Sequence, residues 1–300
     1  HLAVDKTGTL TRNQPEVTDV VPADGFDRAQ VLAFAAAVEQ QSTHPLAAAI
    51  AAAGPEAPAA LDISEEAGYG IGGTVEGRRV LVGSPRWIDA GPLKADVERM
   101  ESEGQTCVLV TVDDALSGAI GVRDELRPEV PEAVQTLHAN GVEVSMLTGD
   151  NTRTARALAE IAGIDDVRAE LRPEDKASIV AELSAKTPTA MIGDGINDAP
   201  ALAGATVGIA MGATGSDAAI ESADVAFTGH DLRLIPQALQ HARRGSRIIN
   251  QNIVLSLAII IVLMPLAISG VLGLAAVVLV HEVAEVIVIL NGLRAARAKR

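Results

Sequence analysis

The sequence predicts an α/β protein: a parallel sheet with alternating helices, interrupted by an inserted α+β domain and followed by a transmembrane helical hairpin. Three observations predict it. Short apolar runs end in polar loops and are followed by helical stretches, so strands alternate with helices. A long stretch of different character, residues 17–122, separates the first such run from the next. Beyond residue 252 the chain loses its charge almost completely.

The alternating part occupies residues 1–16 and 123–247. Its strands read as His1-Leu2-Ala3-Val4, Glu143–Leu147 and Thr189–Ile192, which lead into Asp5, Thr148-Gly149-Asp150 and Gly193-Asp194-Gly195. A helix is expected over Thr152 to Ile161. In parallel sheets of this kind chemistry sits at the carboxyl ends of the strands, where all these polar motifs fall. The insert opens with an alanine-rich helix, Arg28 to Gln41. A second helix starts at Thr43-His44-Pro45-Leu46, with proline at a favoured first-turn position. Strand-like pieces follow at Gly73 to Val82 and Thr106 to Val112.

The hairpin is assigned to residues 248–300, with helices at about 253–270 and 274–293. Ile253 to Val271 contains no charged residue, and a second apolar run extends from Leu272 to Leu293. About 20 helical residues cross a membrane core of ~30 Å. Gly270 and Gly273 mark the turn, and Pro265 is expected to kink the first helix. Arg243, Arg244 and Arg247 precede the pair, and Arg294, Arg297, Lys299 and Arg300 follow it. Basic flanks at both ends place both in the cytosol.

The chain has 300 residues, 48% of them hydrophobic, enough for about two domain cores. The formal net charge of -15 argues against a nucleic-acid partner. The single cysteine, Cys107, excludes an internal disulfide and a multi-cysteine zinc site. It lies in an apolar strand and reads as a buried, inert thiol. The chain begins at His1, inside a strand that runs straight into a reactive motif, which reads as a fragment with an upstream part missing.

Four pieces suggest phosphoryl transfer. In Asp5-Lys6-Thr7-Gly8-Thr9-Leu10-Thr11, a carboxylate at a strand end is placed to attack phosphorus and become an aspartyl phosphate. Thr148-Gly149-Asp150 offers a hydroxyl and backbone N–H groups to phosphate oxygens. Lys176 supplies a fixed positive charge. Gly193-Asp194-Gly195-Ile196-Asn197-Asp198 carries acids spaced to hold Mg²⁺ near Asp5. Each alone is a weak signal, since a lone Thr-Gly-Asp is often a turn. Their order, each after a strand, gives the set its weight.

The stretches DKTGTLT (residues 5–11) and GDGINDAPAL (residues 193–202) resemble the phosphorylation and hinge motifs of P-type ATPases, within the haloacid-dehalogenase-like superfamily. The resemblance extends over essentially the whole chain. It implies a Rossmann-like phosphorylation domain, Asp5 as the phosphorylated nucleophile, and Mg²⁺ on Asp5, Asp194 and the Thr7 carbonyl, with Asp198 close by. It implies Thr148 and Lys176 as holders of the transferred group, assisted by Asn197. Related phosphatases carry a second acid two places after the nucleophile; here Thr7 stands there, which should lengthen the life of the phosphorylated form.

The insert resembles the nucleotide-binding domain of the heavy-metal class, type IB. The likeness rests on Glu39, Ser42-Thr43-His44-Pro45-Leu46, Gly68-Tyr69-Gly70 and Val82-Gly83. It implies Glu39, His44, Gly68, Gly70 and Gly83 as ATP-site residues, together with Asp150. With aromatic residues only 2% of the chain, adenine stacking on Phe or Tyr is not an obvious alternative.

The second apolar run contains His281, Glu282 and Glu285. Charged groups at that depth cost about 2.5–3.5 kcal/mol each and mark a functional site. His281 and Glu285 share a helix face, and Glu282 lies about 100° round it. Imidazole and carboxylate suit Zn²⁺, Co²⁺ or Ni²⁺ better than Cu⁺. The pair His281-Glu282 resembles that in the last helix of the cobalt/zinc branch, although that branch continues with Gly-Gly-Thr where this chain has Val283-Ala284-Glu285.

The expectation is the catalytic part of a multi-pass cell-membrane pump for a divalent heavy metal of the Zn/Co/Cd type, its catalytic domains cytoplasmic. Its partners are the transported cation, the lipid bilayer and the N-terminal part of the same pump, since no Thr-Gly-Glu actuator motif occurs in the chain. The rivals are a membrane-tethered phosphatase, a copper pump and a non-enzymatic nucleotide-binding regulator. Thr7 argues against the phosphatase, and the set of Asp5, Lys176 and Asp194 argues against the regulator.

Overall fold

The computed structural model describes residues 1–42, 44–66, 69–194, 198–211, 217–229 and 231–296. The chain starts with β1 (Leu2–Asp5), a loop over residues 6–10, and β2 (Glu16–Pro22). Then come α1 (Arg28–Glu39), α2 (Pro45–Ala53), β3 (Ala60–Glu66), β4 (Gly70–Val75) and β5 (Arg78–Gly83). After α3 (Lys94–Ser102), β6 (Thr106–Val112) and β7 (Ala115–Arg123), the pattern alternates: α4 (Val130–Ala139), β8 (Val144–Leu147), α5 (Thr152–Ala162), β9 (Asp166–Arg168), α6 (Pro173–Lys186) and β10 (Ala190–Gly193). Next come α7 (Ala199–Gly204), β11 (Val207–Met211), α8 (Asp217–Ser222) and β12 (Val225–Phe227). Two long helices follow, α9 (Leu234–Ile268) and α10 (Leu274–Gly292).

The strands form two sheets. One is wholly parallel, in the order β12-β11-β10-β1-β8-β9. Its central strands β1, β8 and β10 are short and mostly apolar and buried, as sheets covered on both faces require. Ala3, Leu147, Met191 and Ala210 pack there with Val180 of α6 and with Ala201 and Leu202 of α7. Chain order reverses at β1, whose neighbours are β10 and β8. Asp5 is aligned with Leu147, and Val4 with Ile192. The loops after β1, β8 and β10 therefore open side by side at the switch point of the sheet.

The other sheet is antiparallel, in the order β2-β7-β6-β5-β4-β3, and comprises residues 16–123. Alternate side chains face opposite ways along each strand. Val108, Val110 and Val112 of β6 pack with Val31, Ala35 and Val38 of α1, whereas Cys107 and Leu109 pack with Val97 and Met100 of α3. Burial raises the Cys107 thiol to about 12, which makes it inert at neutral pH. The apolar stretch Gly73 to Val82, read as one strand-like piece, is a hairpin. Glu76 and Gly77 both have positive φ (51° and 79°), the signature of a two-residue I′ turn. A capping box starts α1: the Asp27 carboxylate accepts from the Gln30 N–H and the Gln30 side-chain oxygen accepts from the Asp27 N–H.

Residues 1–231 form one compact unit and residues 232–300 another. In the second unit α9 begins at Leu234, well before the charge-free run expected from about residue 253. The arginines at 243, 244 and 247 thus sit on a helix that continues unbroken into the apolar segment. Residues 232–247, grouped from the sequence with the soluble part, belong to the hairpin unit. Pro265 lies within α9, and α10 ends at Gly292. Both helices are long and apolar enough to cross a membrane. An amide cluster joins them: Asn291 donates to Asn252 Oδ1 at 2.8 Å, and Asn252 donates to the Val288 carbonyl at 3.3 Å.

Candidate active site

The loop after β1 closes through a wide turn, in which the Thr11 N–H donates to the Lys6 carbonyl at 3.1 Å. Gly8 lies inside it at φ +73°, where a side chain is strained, and a Cβ there would overlap the Asp194 carboxylate. Glycine is needed here for both reasons. Thr9 within the loop and Thr11 directly after it are fully buried.

Asp5 is 4% exposed at the end of β1. Lys176 reaches it from α6 and forms a short ion pair with Oδ1 of Asp5; the same ammonium lies 3.0 Å from Oδ1 of Asp198, which precedes α7. Asp194 follows β10. Carboxylate oxygens of Asp5, Asp194 and Asp198 lie within 4.8 Å of one another, the one such acidic or histidine cluster among the described residues. Burial raises the Asp5 carboxyl to about 7, with Lys176 pulling it down and Asp198 pushing it up. Burial and the nearby Asp198 raise Asp194 to about 6. For Lys176, burial favours the neutral amine, but Asp5 and Asp198 outweigh it and the pKa is raised. Three carboxylates facing one ammonium leave the pocket with excess negative charge, which a divalent cation would neutralise.

Thr148 is buried directly after β8. Its hydroxyl oxygen accepts from the Asp150 N–H at 3.1 Å, which keeps its own proton available for donation. Asp150 pairs with the buried Lys6 at 2.5 Å. Thr7 lies half-buried two residues beyond Asp5. Asn197 lies outside the described residues, as does Gly68 of the insert.

On the antiparallel sheet, His44 precedes α2 and its Nδ1 accepts from the Leu46 N–H at 3.2 Å. That contact requires an unprotonated Nδ1, so the neutral ring carries its proton on Nε2. Desolvation lowers the His44 pKa even though the residue as a whole is exposed, and the accepting geometry agrees with that direction. The charges of Asp150 and Lys6 both act on the ring. Glu39, at the end of α1, is 8% exposed; burial and then Glu65 raise its pKa to about 7. Gly70 and Gly83 are paired across β4 and β5. A side chain at Gly70 would overlap the Val82 carbonyl, and one at Gly83 would overlap the Trp87 ring. Both glycines thus meet a packing requirement that no ligand imposes. Trp87 and Tyr69 pair beside them, 6.3 Å between ring centroids, and both are partly exposed. Composition pointed away from aromatic groups here, but the chain's one tryptophan and one tyrosine are both at this place.

The Glu39 shift gives a pH-dependent stability. The native state holds the proton more tightly than the unfolded chain, whose glutamates titrate near 4.5. Stability is therefore fully present below pH 4.5 and falls as pH rises towards 7, by up to ~3 kcal/mol. Glu39→Gln is expected to flatten that decline and to exceed the parent in stability at pH 8. Urea denaturation of residues 1–231 at pH 5 and pH 8 measures it; equal slopes in both proteins would contradict it.

In the hairpin unit, His281 Nε2 lies 3.3 Å from Glu285 Oε1, one turn apart on α10. Glu282 does not join them, since it projects about 100° away. The three residues make no closed ligand set within the hairpin.

Sequence reasoning missed Asp124 and Arg127, which lie between β7 and α4. Thr11 Oγ1 donates to Asp124 Oδ2 at 2.5 Å. Arg127 donates to the carbonyls of Thr9 and Gly8, each at 3.0 Å.

A buried aspartate on a central parallel strand, faced by a lysine from a covering helix and by two further acids that follow the adjoining strand, defines a class. The chain belongs to the haloacid dehalogenase-like hydrolase family, whose model matches residues 1–206. Its relatives include proteins named as cation-transporting and copper-transporting ATPases and as a zinc/cadmium/lead-transporting P-type ATPase. It is 59% identical over 298 residues to the probable cation-transporting ATPase G of Mycobacterium bovis, covering 99% of this chain and 39% of the relative. It is 43% identical over 281 residues to copper-transporting ATPase 1 of Rhizobium meliloti, covering 90% of this chain and 34% of that one. The crystal structure of a zinc-transporting PIB-type ATPase in the E2.Pi state superposes with a TM-score of 0.74 at 41% identity, covering 99% of this chain and 50% of that chain. The chain thus spans well under two thirds of the length of these relatives.

Proposed function

We propose that this chain is the catalytic portion of a P-type ATPase that moves a divalent heavy-metal cation across a membrane, with the phosphoryl group carried on Asp5. The observation that carries the reading is the meeting of Asp5, Lys176, Asp194 and Asp198 at adjoining strand ends. In this reading the parallel sheet is the phosphorylation domain and the antiparallel sheet the nucleotide-binding domain. The hairpin lies in the cell membrane, and the catalytic domains face the cytoplasm.

An ionised Asp5 oxygen attacks the γ-phosphorus of ATP. The bond to the bridging oxygen breaks, and ADP departs with its electron pair. Lys176 favours the ionised form of Asp5 against the effect of burial and then faces the phosphoryl oxygens, while the Thr148 hydroxyl is available to donate to them. The charge of the acidic trio fits Mg²⁺ on Asp5, Asp194 and Asp198, with the Thr7 carbonyl as a further ligand; when bound, the ion offsets negative charge on the transferred group. Asn197 assists in holding that group. Thr7 cannot serve as an acid or base for water, so phosphorylated Asp5 persists. Glu39, His44, Gly68, Gly70, Gly83 and Asp150 surround the nucleotide, with the neutral His44 able to donate from Nε2. His281, Glu282 and Glu285 contribute to the transported ion's site, which needs groups from the rest of the pump. Their nitrogen and oxygen donors favour zinc-type ions over Cu⁺.

The test is acid-quenched labelling of the full-length protein with γ-labelled ATP. Label is expected to appear on addition of Zn²⁺, Co²⁺ or Cd²⁺, to be released by hydroxylamine and to be absent from Asp5→Asn. Label that persists in Asp5→Asn would refute the reading. Labelling with Cu⁺ alone would refute the ion assignment.

A further inference from the structure

The chain crosses between its two sheets twice, on leaving β1 and on returning from β7, and the two crossings are bolted together. Thr11 and Leu126 form an isolated β-bridge. The Arg12 N–H donates to the Glu125 carbonyl at 3.0 Å, and the Arg127 N–H to the Leu10 carbonyl at 2.9 Å. Asp124 accepts from the Thr11 hydroxyl through one oxygen and from the Gln14 N–H through the other, at 3.0 Å. That hydroxyl accepts in turn from the Gly8 N–H at 3.3 Å. The Arg127 guanidinium spans two consecutive carbonyls, those of Gly8 and Thr9.

These contacts fix both faces of the Gly8 unit, with its N–H held through Thr11 and its carbonyl by Arg127. Gly8 is the residue packed against the Asp194 carboxylate. A rotation of this peptide would therefore move the backbone into Asp194 or away from it. Buried carbonyls that lose their donors are costly to leave unpaired. A planar fork reaches both at once; the single ammonium of lysine does not.

We propose that Arg127 is a positioning residue for phosphoryl transfer. It holds the loop after Asp5 in the shape that sets Asp194 against the phosphorylated carboxylate, and it ties that shape to the return crossing of the inserted sheet. The inference rests on Asp5 being the phosphorylated residue. It differs from a hinge role, in which Arg127 would govern only how the nucleotide-bearing sheet approaches Asp5.

Phosphorylation by inorganic phosphate separates the two, because that reaction uses the parallel sheet and needs no nucleotide. In the full-length protein, Arg127→Gln is expected to slow labelling of Asp5 from both ATP and inorganic phosphate by about 10²-fold, the scale of a small misplacement of reacting groups. ATP affinity should stay within about twofold, since the nucleotide residues lie elsewhere. Arg127→Lys, which keeps charge and length, should still lose at least about tenfold in labelling from phosphate; it carries the test if the glutamine variant does not accumulate. Labelling from phosphate at the parent rate in either variant would overturn the proposal, whatever happens with ATP. A parent protein that carries no label on Asp5 would instead overturn the functional reading itself.

Discussion

Replacing Lys176 with methionine is expected to slow phosphorylation of Asp5 by about 10³-fold, the upper range for loss of one preorganised charge in a reaction centre. The side chain is nearly isosteric, so the loss isolates the ammonium. In the parent that ammonium is shared between Asp5 and Asp198 and is almost wholly buried. Without it, the buried Asp5 and Asp198 and the half-buried Asp194 face one another with no cation among the described side chains in contact with Asp5. Breaking a buried pair on one side costs about 3–5 kcal/mol, so the fold should also lose stability in metal-free buffer. Millimolar Mg²⁺ should restore part of that stability and little of the rate, because the metal meets the acids but does not replace the donor facing the phosphoryl oxygens. Rapid-quench labelling and denaturation with and without Mg²⁺ measure both effects. A rate within about tenfold of the parent would mean that Lys176 is a structural counter-ion only.

Gly8→Ala should be nearly as damaging for a steric reason. The added methyl overlaps the Asp194 carboxylate, and φ of +73° is unfavourable for any residue with a Cβ. The left-handed backbone alone costs about 1–2 kcal/mol. Relief of the overlap requires Asp194 or the loop to move, and a shift of about 1 Å at reacting groups costs about 10²-fold in rate. The expected result is a destabilised protein whose labelling falls by that factor, while ATP affinity is unchanged. Labelling at the parent rate would show that the loop relaxes without disturbing Asp194.

Much of this site is legible from sequence for a simple reason. Asp5, Thr148 and Asp194 each follow a short buried strand, and in-register parallel strands bring their carboxyl ends together. Lys176 is 171 residues from Asp5 in the chain and meets it because α6 covers the same sheet. The parallel sheet and the inserted sheet were likewise readable from the alternation of strand and helix and its long interruption. Arg127 and Asp124 were not, because they act on backbone carbonyls and a hydroxyl in a crossing whose partner lies more than a hundred residues away. No side-chain pattern announces such contacts. Trp87 was missed because its place depends on two glycines that meet only when β4 and β5 pair. The β4–β5 hairpin was read as one piece because Glu76-Gly77 is a weaker turn signal than Asn-Gly. The early start of α9 was hidden because Arg243, Arg244 and Arg247 break the apolar run without breaking the helix. The proposed ion site is incomplete for a different reason: a single helix cannot turn His281, Glu282 and Glu285 towards one point.

The most direct measurement is chemical identification of the residue that carries phosphate. Full-length protein phosphorylated from ATP is quenched in acid and reduced with borohydride, which converts an acyl phosphate on aspartate to homoserine, and the peptides are then sequenced by mass spectrometry. The account predicts homoserine at position 5 and at no other aspartate, with none in the Lys176→Met protein quenched at the same early time. Reduction at any other residue, or an intact Asp5 in a sample that carries a full equivalent of label, would contradict it.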